Sequence, residues 1–262
     1  MSQRLLGKRA IVTGGGSGIG RGAAIKLAEE GAHVAVVDVN LEAAQKVADE
    51  IASTAGKGPH PLGKVLALRA NVADEAQVAE AVRVAEERFG GLDTLIANAG
   101  IMLFGRDTVA TELDLEIWQQ CIDVNLTGMF LTCKHGLRAL ERAGGGAVVI
   151  TGSPTGTHGC APTFTAYSTS KAGTFGLMRI LAVDYVKKNI RVNAVMPGTT
   201  NSPLVMTLME NPTTKAEFLA KMPMARAAEP REIANVIAFL ASDEASYVTG
   251  AAWYADGGLT AI

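Results

Sequence analysis

The chain has 262 residues, 48% of them hydrophobic and 19% charged, with a formal net charge of −2. That apolar fraction excludes a disordered chain and supplies a large core, while the small negative charge gives no electrostatic reason to bind nucleic acid or an anionic membrane. Cys121, Cys133 and Cys160 are scattered and odd in number, which predicts reduced thiols, and neither His158-Gly159-Cys160 nor Cys133-Lys134-His135 matches a zinc spacing, so no metal is expected. No segment reads as a membrane span, and the first strand pattern begins almost at once without a leader-like cleavage site, so the expectation is a soluble, cytoplasmic protein.

In chain order, short β-rich runs alternate with amphipathic ones. Residues 10–12 read as a strand and lead through a glycine-rich turn into a helix over 18–30. A strand over 33–37, a helix over 41–54 and a surface loop over 56–63 follow, then a strand over 65–68 and a helix over 75–89. The pattern continues with a strand over 94–97, a long helix over 112–142, a strand over 147–150, a helix over 164–187 and a strand over 191–195. An irregular stretch over 199–229, with three prolines and a short helix expected around 204–210, has the length of a lid, and a helix over 231–242 and a strand over 252–254 complete the chain. Unbroken strand–helix alternation predicts one domain over 1–262: a doubly wound, seven-stranded parallel α/β sheet of Rossmann-like type, covered on both faces by right-handed crossovers.

The turn after the first strand is Thr13-Gly14-Gly15-Gly16-Ser17-Gly18-Ile19-Gly20. Glycines at this place let the backbone approach a pyrophosphate, and the next helix offers free amides and its positive end to the anion. The spacing of Gly14, Gly18 and Gly20 differs from Gly-x-Gly-x-x-Gly, and Arg21-Gly22 stands where a P-loop needs Lys and Ser or Thr. Asp38 ends the second strand about twenty residues on, where a carboxylate accepts ribose hydroxyls and repels a 2′-phosphate. Ser17 and Val39 beside it are neutral, so NAD is expected rather than NADP, with Arg21 the one cation that could change this. Farther on, Tyr167 and Lys171 lie four residues apart on one helical face, where a fixed cation lowers a phenol's pKa and makes it a usable acid/base.

Several motifs in order resemble the short-chain dehydrogenase/reductase family over essentially the whole chain: the 13–20 turn, Asn71-Val72, Asn98-Ala99-Gly100, Asn125, Ser153, Tyr167 with Lys171, Pro197-Gly198 and Asp256-Gly257-Gly258. The resemblance implies that Tyr167 exchanges a proton with the substrate oxygen, that Ser153 hydrogen-bonds that oxygen, and that Lys171 lowers the pKa of Tyr167 and holds the nicotinamide ribose. Asn125 resembles the asparagine that holds a water between Lys171 and solvent, a structural amide being the competing reading. Asn71 and Val72 would flank adenine, and Asn98, Ala99 and Gly100 would contact the cofactor, with the Asn98 side chain tying strands together. Thr200 and Ser202, after Pro197 and Gly198, would hold the carboxamide, although relatives often carry an aliphatic residue and a threonine there. Ser153 stands fourteen residues before Tyr167 where thirteen is usual, which leaves Thr151 and Thr155 as possible substitutes.

The resulting expectation is an NAD-dependent oxidoreductase interconverting a secondary alcohol and a ketone, acting on a polyol, sugar or hydroxy acid. A 3-oxoacyl-thioester reductase and a non-catalytic cofactor-binding protein are the alternatives. Met102, Leu103, Phe104, the 154–164 loop and Leu204, Val205 and Met209 should line the substrate pocket, where His158 and Thr157 could bind hydroxyls. The resemblance further implies a homotetramer assembled through the helices over 112–142 and 164–187 and the strand region over 248–258.

Overall fold

The computed structural model describes residues 4–53, 63–158, 161–206, 215–216, 219–220 and 222–261. Its strands are β1 (Arg9–Thr13), β2 (His33–Asp38), β3 (Val65–Arg69), β4 (Thr94–Ala97), β5 (Gly146–Thr151), β6 (Ile190–Pro197) and β7 (Ala252–Ala255). All pair in parallel, in the order β3-β2-β1-β4-β5-β6-β7, so the chain reverses its direction of winding between β1 and β4. In such a sheet the carboxyl ends of the strands on either side of the reversal leave a crevice.

Because a strand's side chains alternate faces, each strand feeds two separate cores. Ile11, Leu95, Val148 and Ile150 pack beneath α3 (Glu75–Phe89), α5 (Gly128–Arg142) and α6 (Thr165–Tyr185). Ala10, Val12, Ile96 and Val149 face the other way, against α1 (Gly18–Glu29), α2 (Leu41–Ser53) and α7 (Pro230–Ala241). Apolar residues on both faces of the central strands are what a sheet sandwiched between helices requires. Local chemistry sets the helix ends. Asp74 caps α3 by accepting from the Ala76 and Gln77 amides, and Gly90 closes it in the left-handed region at φ 75°. Glu229 and Glu232 form a reciprocal capping box ahead of α7, with Pro230 in its first turn.

Two expectations change. The single helix read over 112–142 begins at Leu115, as α4 (Leu115–Ile122), and is interrupted by a π-helical turn over Asp123–Thr127 before continuing as α5. In the 199–229 stretch, Pro203–Val205 is a short 3-10 turn, and the strip closes on itself where Thr200 bridges Ala228. Residues 207–210 of the expected short helix, including Met209, lie outside the described residues, as do Cys160 and residues 56–62 of the expected loop. Among the described residues no helix is long and apolar enough to cross a membrane.

Candidate active site

The crevice at the β1/β4 reversal opens into a cleft of about 530 Å³. Its floor is the glycine turn. Gly14 at φ 63° and Gly18 at φ 51° hold conformations that side-chain-bearing residues avoid, and a Cβ on Gly14 would lie 2.8 Å from the Ala99 Cα. Gly20 does not line the cleft: it sits under the turn, where a Cβ would collide with the Gly14 carbonyl. Gly14, Ser17, Gly18 and Ile19 therefore form a backbone-lined cradle at the start of α1, shaped for a phosphate and for the positive end of that helix.

Asp38 and Val39 line one end of the cleft. The Asp38 carboxylate accepts from the Gly16 amide at 2.9 Å and the Asn40 amide at 3.0 Å, which fixes it beside the turn. Arg21 is held by Glu50 through two hydrogen bonds of 2.5 and 3.0 Å. Asn71 and Val72 border the same end, and Ala99, Gly100, Pro197, Gly198, Thr200 and Ser202 continue the wall toward the other. Asn98 also reaches the cleft, but its side chain is spent on the scaffold. Its Nδ2 donates to the Thr13 and Gly14 carbonyls at 3.1 and 3.2 Å, and its Oδ1 accepts from Thr151 Oγ1 at 3.0 Å, joining β1, β4 and β5.

At the far end the structure brings Ser153, Tyr167, Lys171 and Asn125 together, all buried. Ser153 stands close enough to the Tyr167 phenol to lower its pKa. The Lys171 ammonium lies 5.8 Å from the centre of the Tyr167 ring and donates to the Thr151 carbonyl at 3.0 Å. Burial dominates the titration of both groups. It pushes the Tyr167 phenol up to about 12, against a smaller lowering by Ser153, and pulls Lys171 down to about 8. The Tyr167 shift in this structure thus runs opposite to the lowering expected from its lysine neighbour, because removal from water disfavours the phenolate most. The Thr151 hydroxyl is committed to Asn98, and Thr155 is bonded to Ser153; of the three hydroxyls it is Ser153 that lowers the pKa of the phenol.

Asn125 lies in the π-helical turn, a feature that concentrates at functional sites. Its Oδ1 accepts from the Ile101 amide at 2.7 Å, and its Nδ2 donates to the Ile101 carbonyl at 2.9 Å and to Ser170 Oγ at 3.1 Å. The side chain is therefore a clamp between the post-β4 loop and α6, and the amide is fully used.

Sequence reasoning missed Asp107. This carboxylate is buried in the same loop and accepts from the Ala166 amide at 3.0 Å and the Tyr167 amide at 2.9 Å. It supplies the N-terminal cap that α6 lacks locally, since Phe164 at that position makes no side-chain capping bond. Thr165 Oγ1 donates to the Thr108 carbonyl at 2.6 Å alongside it. A capping residue about sixty positions upstream leaves no local signal in the sequence.

His158 is corrected. It does not line the cleft; its ring packs edge-on against Tyr254 at 4.8 Å, and its Nδ1 lies 2.8 Å from the Tyr254 hydroxyl. Thr157 is tied to the same hydroxyl at 2.8 Å. The substrate end is instead walled by Met102, Phe104, Phe164, Leu204, Val205 and Leu259, with Phe104 and Phe164 edge-to-face at 5.2 Å. Leu103 packs behind this wall with Cys121 and Tyr167.

A family model described as enoyl-(acyl carrier protein) reductase matches residues 14–260. The chain is 40% identical to the cyclohexanol dehydrogenase of Acinetobacter sp. (strain SE19), covering 99% of this chain and 98% of that one. It is 42% identical, end to end in both, to the cis-4-hydroxycyclohexanecarboxylate dehydrogenase of Sinomonas cyclohexanicum. A solved short-chain type dehydrogenase/reductase from Mycobacterium marinum superposes with a TM-score of 0.90 at 36% identity, covering 98% of this chain and 97% of the other. With the parallel seven-stranded sheet and the cleft at its reversal, these matches establish that the chain belongs to the short-chain dehydrogenase/reductase family, as an oxidoreductase acting on CH–OH groups.

Proposed function

We propose that the protein is an NAD-dependent dehydrogenase that interconverts a neutral cyclic secondary alcohol and its ketone. The observation that carries this reading is the convergence of buried Ser153, Tyr167 and Lys171 in the cleft that the glycine turn also lines, next to an apolar wall of Met102, Phe104, Phe164, Leu204 and Val205. Among the described residues lining the cleft, Lys171 and Asp38 are the charged ones, and no cation is free to bind a carboxylate or phosphate of the substrate. A ring alcohol suits that wall better than the polyol, sugar or hydroxy acid expected from sequence. The relatives named for cyclohexanol and a hydroxycyclohexane carboxylate support a six-membered ring.

The glycine cradle fits a pyrophosphate, and Asp38, next to the Gly16 amide, would hold the adenosine ribose. Arg21, tied to Glu50, is turned from the task of binding a 2′-phosphate, which favours NAD over NADP. Asn71 and Val72 would border adenine, while Gly198, Thr200 and Ser202 would hold the carboxamide end. The nicotinamide ring, when bound, supplies the hydride acceptor. The chain's own groups handle the oxygen: Ser153 donates a hydrogen bond to it, Tyr167 takes the hydroxyl proton as phenolate during oxidation and returns it as phenol during reduction, and the Lys171 ammonium stabilises the phenolate that precedes oxidation and follows reduction.

The test is the initial rate of NAD and NADP reduction with cyclohexanol, substituted cyclohexanols, polyols, sugars and hydroxy acids, with Tyr167→Phe alongside. The expected result is turnover of ring alcohols with NAD, reduced about 10²–10⁴-fold in the variant. Turnover unaffected by Tyr167→Phe, or reduction of 3-oxoacyl thioesters with NADPH as the main activity, would overturn it. We further propose a cytoplasmic homotetramer, supported by the buried free thiols of Cys121 and Cys133 and by exposed apolar side chains on α5 and α6 (Phe130, Ile180 and Val183) and on β7 (Trp253). Sedimentation showing a monomer at micromolar concentration would refute the assembly.

A further inference from the structure

We propose that Thr155 is a positioning residue for the reaction: it donates its hydroxyl proton to Ser153 Oγ, so that the Ser153 O–H is left directed at the substrate oxygen. The inference rests on the reading of Ser153 as the substrate's hydrogen-bond donor.

The argument is an inventory of lone pairs. A serine hydroxyl has one proton to give and two lone pairs to fill. Ser153 Oγ lies 3.0 Å from Thr155 Oγ1 and accepts from the Thr155 amide at 3.4 Å. The residue is 7% exposed, so the protein supplies most of these partners. Pro154, between them, has no N–H, which makes Thr155 the first residue of the 3-10 turn able to donate. Once a substrate oxygen occupies the Ser153 proton, both lone pairs must be filled by donors. The Thr155 amide can give one hydrogen bond and the Thr155 hydroxyl the other. Without a substrate the serine proton points to Thr155 Oγ1; when Ser153 donates to the substrate, the Thr155 hydroxyl turns to donate. Two hydroxyl rotations interconvert the states, with no bond broken and no net proton moved.

The geometry keeps Thr155 in place for this exchange. Gly156, the next residue, is pressed on the backbone of α6, where a Cβ would lie 2.5 Å from the Lys171 carbonyl carbon and 2.6 Å from the Ala172 nitrogen. The turn that carries Thr155 is thus seated on the helix that carries Tyr167 and Lys171. Thr155 itself borders the cleft, so its hydroxyl reaches Ser153 at the cleft wall.

A double-mutant cycle tests the inference with NAD and the best ring alcohol of the panel. Thr155→Val removes the hydroxyl while keeping the branched shape and should lower kcat/KM for the alcohol about tenfold. The KM for NAD should stay within about twofold, as should the turnover of Thr155→Ser, which keeps the hydroxyl. Ser153→Ala should be slower still, and adding Thr155→Val to it should change the rate by no more than about twofold, because the partner has gone. Should Thr155→Val fold poorly, Thr155→Ala enters the same cycle. Parental activity in Thr155→Val, or losses that multiply in the double variant, would overturn the role of Thr155. Parental activity in Ser153→Ala would instead overturn the reading of Ser153, and this inference with it.

Discussion

Asp107→Ala is the substitution whose cost the structure defines best. The carboxylate accepts two amides, at 3.0 Å from Ala166 and 2.9 Å from Tyr167, and Ala166 is fully buried, so its N–H has no water to turn to. Hydrogen bonds to a charged group are each worth about 1.5–3 kcal/mol, and an N-cap typically about 1. The neighbouring Thr165–Thr108 bond and the Phe104–Phe164 contact survive the substitution and moderate the loss. A destabilisation of about 3 kcal/mol is therefore expected, or a fall in Tm on the order of 6–10 °C for a chain of this size. Urea titration at neutral pH measures the first and calorimetry the second. Asp107→Asn, which keeps one acceptor oxygen and places an amide against the second N–H, should recover about half. Because the loop and α6 meet at the substrate end, kcat/KM for the alcohol should fall about tenfold while the KM for NAD holds. A loss below about 1 kcal/mol would show that α6 is capped by other means and refute the reasoning.

Three further outcomes are expected. Asp38→Ala should lower kcat/KM with NAD about tenfold or more and narrow its preference over NADP, read from the ratio of the two specificity constants. Gly20→Ala, whose new methyl would collide with the Gly14 carbonyl, should abolish NAD binding measured by calorimetric titration and cost about 2–3 kcal/mol of stability. Lys171 holds its proton less tightly when folded, at about 8 against 10.5, so the folded protein binds fewer protons than the unfolded chain across that window. Its contribution to stability therefore rises with pH from about 8 to 10.5, while Tyr167, raised from 10.0 to about 12, acts oppositely above pH 10. Stability of Lys171→Met between pH 8 and 10 should lack the rise seen in the parent protein.

The strands were legible because each is a short Val-, Ile- and Ala-rich run ended by a turn residue, and the glycine turn because its conformations are denied to other residues. Tyr167 and Lys171 could be paired from sequence since four residues of helix place them on one side. The less legible features depend on tertiary contact. Asp107 caps a helix from another loop, and nothing in the residues around it marks it apart from any loop aspartate. The composition of 123–127 is ordinary for a helix, and the π-helical turn is visible only with Asn125 seated against Ile101 and Ser170. His158 follows the Ser153 turn closely enough to read as a substrate contact, yet Tyr254, almost a hundred residues later, holds it away.

The π-helical turn also governs how tolerant the region is to changes of length. An α-helix advances about 100° per residue, so one residue more or fewer turns everything beyond it by that angle. In this protein the turn is a phase adjuster: α4 sets Cys121 and Trp118 against Ala166 and Tyr167 of α6, and α5 aims Met129, Cys133 and Leu137 at the sheet. A π-helical turn takes up one residue more than an α turn, so deleting a single residue from Asp123–Thr127 would leave a regular helix with both faces still indexed, at the loss of the widened turn that seats Asn125 against Ile101 and Ser170.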